Sequence, residues 1–129
     1  MKIFQNIARP FLKRTIPLSA HPKFVENIKA TDPKAVLEKL AGIPIQTWNY
    51  KWDDASVRHV GPMAQDFYGA FGLGNTDKAI FHMDAIGVCL ASIQGLNQLI
   101  EEQGRRIAEN EERIEENARR IERLQGGRG

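Results

Sequence analysis

Isoleucine returns at every seventh residue through the last third of the chain, at Ile86, Ile93, Ile100, Ile107, Ile114 and Ile121. A straight α-helix drifts off a seven-residue repeat. A repeat held this long therefore predicts helices that supercoil left-handedly about one another. With the isoleucines at heptad position a, the d positions are Cys89, Leu96, Gln103, Asn110, Asn117 and Leu124. A single helix would leave that stripe in water. These a and d residues are therefore the expected interface between chains, most simply copies of this one.

The chain has 129 residues, enough for one domain. Setting the helical tail aside leaves a body of roughly 80 residues, near the lower end for independent stability, so association would add burial that the body needs. Formal net charge is +2 and argues for no particular partner; nucleic acid is not expected. Charge is uneven at the start, where Lys2, Arg9, Lys13, Arg14 and Lys23 occur with no acidic residue. Such an arm can meet phosphate or lipid headgroups, but the simpler reading is a solvated terminus. Cys89 is the single cysteine, so no disulfide within the chain is possible, and its d position predicts a buried thiol. No stretch has the length of a membrane span. Arg9, Pro10, Lys13 and Arg14 interrupt the apolar residues that a signal peptide would need.

Four segments follow from the pattern: a basic, proline-containing arm over 1–22, a small body over 23–83, a long helix over 84–125 and a frayed tail over 126–129. In the body, Asp32 is a good helix cap, Pro33 suits the first helical position and Gly42 the stop, with Val36, Leu37 and Leu40 on one face. Residues 43–51 alternate, Ile45, Thr47 and Asn49 against Gln46, Trp48 and Tyr50, which predicts a strand. Trp52-Asp53-Asp54-Ala55-Ser56 reads as a turn and Val57–Val60 as a second strand, a hairpin partner of the first. Gly61-Pro62 then opens a helix from Met63 to Phe71, ended by Gly72-Leu73-Gly74-Asn75. Ala79–Met83 reads as a third extended piece, and Asp84 as the cap of the last helix, about 60 Å long. The predicted fold is α+β: short antiparallel strands in a small mixed body, then a long C-terminal helix forming a parallel coiled coil.

The tail's charges suit a single helix. Glu102 precedes Arg106 by four residues, as Glu109 does Arg113 and Glu116 does Arg120. Pairs in this order are each worth about 0.2–0.5 kcal/mol. Across a parallel seam, Arg106 at g faces Glu111 of a neighbour, but Arg113 and Arg120 face Ala118 and Gln125, so charge does little to select the partner. Gln103, Asn110 and Asn117 are polar where a seam is apolar, and such residues fix register and copy number. The Ile-x-x-Asn repeat resembles the stalks of trimeric bacterial surface adhesins, in which inward asparagines surround a three-fold axis and hold an anion. That likeness favours a parallel trimer over a dimer or tetramer, with Asn110 and Asn117 as the anion's ligands. No other cofactor and no metal is expected.

From Glu26 to about Gln103 the chain resembles the C-terminal intramolecular chaperone, or peptidase S74, domain of phage and prophage tailspikes and tail fibres. The residues that carry the likeness are Glu26-Asn27-Ile28, Asp32-Pro33, Val36 to Leu40 and Ile43 to Lys51 with its Trp48-x-Tyr50. They continue with Arg58-His59-Val60-Gly61-Pro62-Met63-Ala64-Gln65-Asp66-Phe67, Phe71 to Gly74, and Asp84 to Leu96. The likeness implies structural roles for Asn27, Trp48, Tyr50, His59, Gly61, Gln65 and Asp84. It also implies a homotrimer that holds three chains in register while a stalk folds. Its partner would be an upstream or separately encoded fibre or stalk protein. Because only about twenty residues precede the body, a helper acting on another chain is one expectation and a shortened gene product another. The implied setting is the cytoplasm during assembly, then a virion tail or cell surface.

Many members of that family cut themselves with a serine activated by a lysine five residues later, chemistry that needs a base to take the hydroxyl proton. Here the aligned positions hold Ala20 and Val25, with His21 in place of the aspartate, which points away from an active enzyme. Ser19 and Lys23 lie nearby at a spacing of four, across Pro22, and are the residues that self-cleavage would have to recruit. A self-processing endopeptidase and a purely structural fibre or adhesin tip are thus the alternatives to a trimerisation and chaperone domain. His59, His82, Asp66, Asp84 and Cys89 match no common zinc spacing. A Ser56–His59–Asp triad lacks a nucleophile elbow. Gly72-Leu73-Gly74 lacks the strand that a phosphate loop follows. Trp48, Tyr50, Phe67 and Phe71 read as core.

Overall fold

A computed structural model describes residues 21–128. The predicted arm, with Ser19 and Ala20, lies outside the described residues apart from its last two positions. Pro22–Phe24 form one 3₁₀ turn, with the His21 imidazole accepting the Lys23 N–H at 3.1 Å. Asn27 follows in the left-handed backbone region, at φ 56°. Asparagine tolerates that region better than most side chains, a physical reason for its place in the Glu-Asn-Ile triplet.

Helix α1 spans Pro33–Ala41 and forms as its sequence predicts. The Asp32 carboxylate accepts the N–H groups of Lys34 and Ala35 at 3.0 and 3.4 Å, so two of the donors that a helix start leaves orphaned are satisfied. Strand β1 covers Gln46–Trp48 and β2 covers His59–Gly61, antiparallel, with Trp48 opposite His59 and Thr47 opposite Val60. Both are shorter than predicted. Pro44 has no N–H to give the ladder, and the turn that begins with Tyr50 accepting the Asp53 N–H takes the chain out of the strand. The predicted alternation holds. The Arg58 guanidinium donates to Thr47 and Asn49 on one face, while Trp48, Tyr50 and His59 meet on the other.

Helix α2 is Ala64–Phe71, stopped by Gly72 at φ +60°, whose N–H reaches the Tyr68 carbonyl. Helix α3 runs from His82 to Gly126, 45 residues and about 67 Å. Three expectations are corrected here. Ala79–Met83 is not a strand: among the described residues none pairs with it, and α3 already begins at His82. Asp84 is not the cap. Phe81 holds that position without a side-chain bond, and Asp84 lies in the first turn, where a carboxylate favours the positive end of the helix. The helix continues through Gly126 rather than fraying before it. Gly74, at φ +79°, takes the Phe81 ring so closely that a Cβ would stand 2.9 Å from it.

The core is small. Among the described residues the buried hydrophobics are Ile43, Phe67 and Val88. Val88 lies on α3, along which α1 packs, Ile43 follows the end of α1, and Phe67 lies on α2, which touches α1. On α3 the buried residues are Val88, Ser92 and Gly95, a stripe of small side chains that lets α1 approach. A Cβ on Gly95 would stand 2.5 Å from the Pro33 carbonyl oxygen and 3.2 Å from the Leu37 Cβ. The Lys34 ammonium bonds the Glu102 carboxylate and ties the start of α1 to the next turns of α3. That hydrogen bond holds the Glu102 carboxyl below its usual value.

Two outcomes follow. Gly95→Val should lower stability by about 1–3 kcal/mol because the clash is with backbone. Gly104→Ala, facing open space, should raise it by about 1 kcal/mol, both read by urea unfolding. The Glu102 carboxyl titrates lower in the folded than in the unfolded chain. Its contribution is therefore complete above about pH 4.5 and is lost as the pH falls further, through the folded value. The acid limb of the thermal-midpoint profile should flatten in Glu102→Gln.

Candidate functional site

Helix α3 presents two stripes, and the body uses only one of them. At about 100° per residue, the Val88, Ser92, Gly95 and Glu102 side lies roughly 110° around the helix from the midline of the a and d columns. In heptad terms α1 occupies positions c and g. The isoleucine stripe is left open along its whole length. The six a-position isoleucines are all exposed, from 47 % at Ile86 to 67 % at Ile100. Leu96 and Leu124 are exposed as well, and so are Gln103, Asn110 and Asn117. The Cys89 thiol, expected to be buried, is exposed in the single chain, because its d column lies away from the face on which α1 packs. Leu90 at e and Leu99 at g widen the first half of the stripe.

The structure places the tail's charges differently from the sequence reading. Among the described residues, the helical ion pair within 4.0 Å is Glu115 with Arg119, at 3.9 Å. The Glu102–Arg106, Glu109–Arg113 and Glu116–Arg120 pairs do not form. Glu102 is taken by Lys34, and the others are exposed side chains that water serves as well. The g-position arginines thus stand beside the isoleucine stripe uncommitted to its own helix.

On the body, four rings form a ladder. His59 stacks on Trp48 at 4.9 Å, Trp48 meets Tyr50 edge-on at 5.0 Å, and Tyr50 stacks on Trp52 at 4.6 Å. Strand register creates the first contact, since Trp48 and His59 are opposite residues. His59 thus packs across the hairpin, and its Nε2 faces the Asp53 carboxylate at 3.7 Å. Trp52, placed only in a turn by its sequence, is the outer, exposed rung. Phe67 is core, with Phe71 5.0 Å away. Gly61 ends β2, and Gln65 is exposed in the first turn of α2.

Among the described residues, which leave out Ser19, no catalytic arrangement forms. The Ser56 hydroxyl and N–H both donate to Asp54, at 2.7 and 2.9 Å, and these bonds lower the Asp54 carboxyl's proton affinity. Among the described residues no hydrogen bond joins Ser56 to His59. Lys23 Nζ lies 6.0 Å from the Phe24 ring centre, and Val25 is exposed in extended backbone. Among the described residues no three His, Cys, Asp or Glu side chains gather as a metal site would require, and no helix is long and apolar enough to cross a membrane.

The stripe that seats α1 went unread in the sequence. Val88, Ser92 and Gly95 do recur at helical spacing, and that periodicity was its signal. Comparison with curated proteins and with solved structures gives no match. Residues 23–72, which include α1, the hairpin and α2, match the model of the Peptidase_S74 family, described as Chaperone of endosialidase, and bear out over that span the likeness read from the sequence.

Proposed function

We propose that the chain is a trimerisation and folding-assistance domain of the intramolecular-chaperone type, serving a phage tail-fibre or tailspike-like protein, and that it does not cut itself. The open isoleucine stripe carries this reading. Its six a-position residues face solvent in a chain whose own body already occupies another side of the helix. Each isoleucine covered by neighbouring helices adds about 1.5–3 kcal/mol. Leu90 and Leu99 broaden the stripe beyond a two-helix seam, which favours three parallel helices.

In such a trimer the Gln103, Asn110 and Asn117 amides would converge on the axis and reject misaligned registers, because an amide facing isoleucine loses its hydrogen bonds. An anion on the axis at Asn110 and Asn117 is a fitting guest for their N–H groups. Three aligned helices hold three bodies at one end, and chains attached to those bodies would start folding in register. The client is a stalk either upstream or separately encoded. Assembly in the cytoplasm and a later place on a virion tail or cell surface complete the proposal.

The family match supports the chaperone-type assignment. The loss of self-cleavage rests on Ala20 and Val25, which supply neither nucleophile nor base.

Fusing the whole chain behind a trimeric stalk tests both halves. Folded stalk should be recovered in higher yield with the domain than without it. Ile107→Asp should abolish the gain, since a charge in the seam costs about 2 kcal/mol or more per chain. The fusion should keep its full mass on prolonged incubation. Equal yields without the domain would reject the chaperone role, and a product shortened at Ser19 would revive the peptidase.

A further inference from the structure

The apolar face of α1 is only partly covered by its own chain. Val36, Leu37 and Leu40 remain half-buried although α1 lies along α3. On α3, Leu90 is 59 % exposed. Leu90 stands at e, on the opposite side of α3 from α1, about 180° around the helix. Within one chain these two incomplete surfaces cannot meet.

Between parallel copies they are neighbours. In a parallel seam the g side of one helix faces the e side of the next. Helix α1 meets its own α3 at Gly95 and Glu102, both at c, which adjoins g on that side of the helix. We infer that the seat of α1 is completed by the adjacent copy, with Leu90 of one chain packed against Val36, Leu37 and Leu40 of the next. The inference rests on the parallel assembly proposed above and adds to it: the body, as well as the tail, is part of the interface. An antiparallel seam would bring g to g and e to e and leave both surfaces open.

Because α1 and Leu90 lie on opposite sides of one helix, a disulfide between them has to join two chains. In a Cys89→Ser background, Leu90→Cys would be combined in turn with Val36→Cys and with Leu40→Cys, and the oxidised chains run without reductant. One of the two combinations should give covalent species up to the full multimer, whereas each single cysteine should not. A non-covalent multimer of unchanged mass that yields no such species would overturn the inference and leave the assembly itself standing. The absence of any multimer would overturn both. Leu90→Gln in the otherwise unaltered chain gives an independent reading. It should raise the concentration at half-assembly about tenfold or more, and an unchanged midpoint would count against the contact.

Discussion

One copy of this chain carries more apolar surface than its own fold can cover. Among the described residues three hydrophobic side chains are buried, and none of the large ones is fully enclosed. Leucines, isoleucines and aromatics stand in water along most of α3 and over the hairpin. Contiguous exposed apolar surface on this scale marks an interaction site rather than ordinary surface variation. In the association proposed above, the hydrophobic effect, denied an interior by so small a body, drives the chain toward other copies.

Helix α3 divides that task by face. One side is pared down to Ser92 and Gly95, so that α1 can come close enough to touch backbone. The other side repeats isoleucine for six heptads and is left free. The first arrangement makes a body from a short helix, a two-stranded hairpin and a further short helix. The second leaves a continuous apolar stripe in water. In the proposed assembly, polar d residues in the outer half would trade seam stability for selectivity of register.

Much of this was legible in the sequence where local chemistry decides it. Asp32, Pro33 and Gly42 bound α1, and the alternation about Trp48 assigns the two faces of the hairpin, because caps and pleats act within a few residues. The ends of the strands were not legible. They depend on a three-residue partner that no local signal reports. Asp84 reads as a cap, yet the helix starts two residues earlier, with Phe81 packed on Gly74. The Glu–Arg pairs of the tail were read from spacing alone, and Lys34 claims one of their carboxylates from 68 residues away. The seat of α1 was hardest to read. Serine and glycine are a weak apolar signal, and only the packed helix shows why they are there.

The proposed function requires the isoleucine stripe to be shared between identical chains. Sedimentation equilibrium across a wide concentration range measures this most directly. It should give three times the 14.6 kDa of one chain, with the helical content of the structure retained. A folded species that stays at 14.6 kDa at the highest concentrations would contradict it.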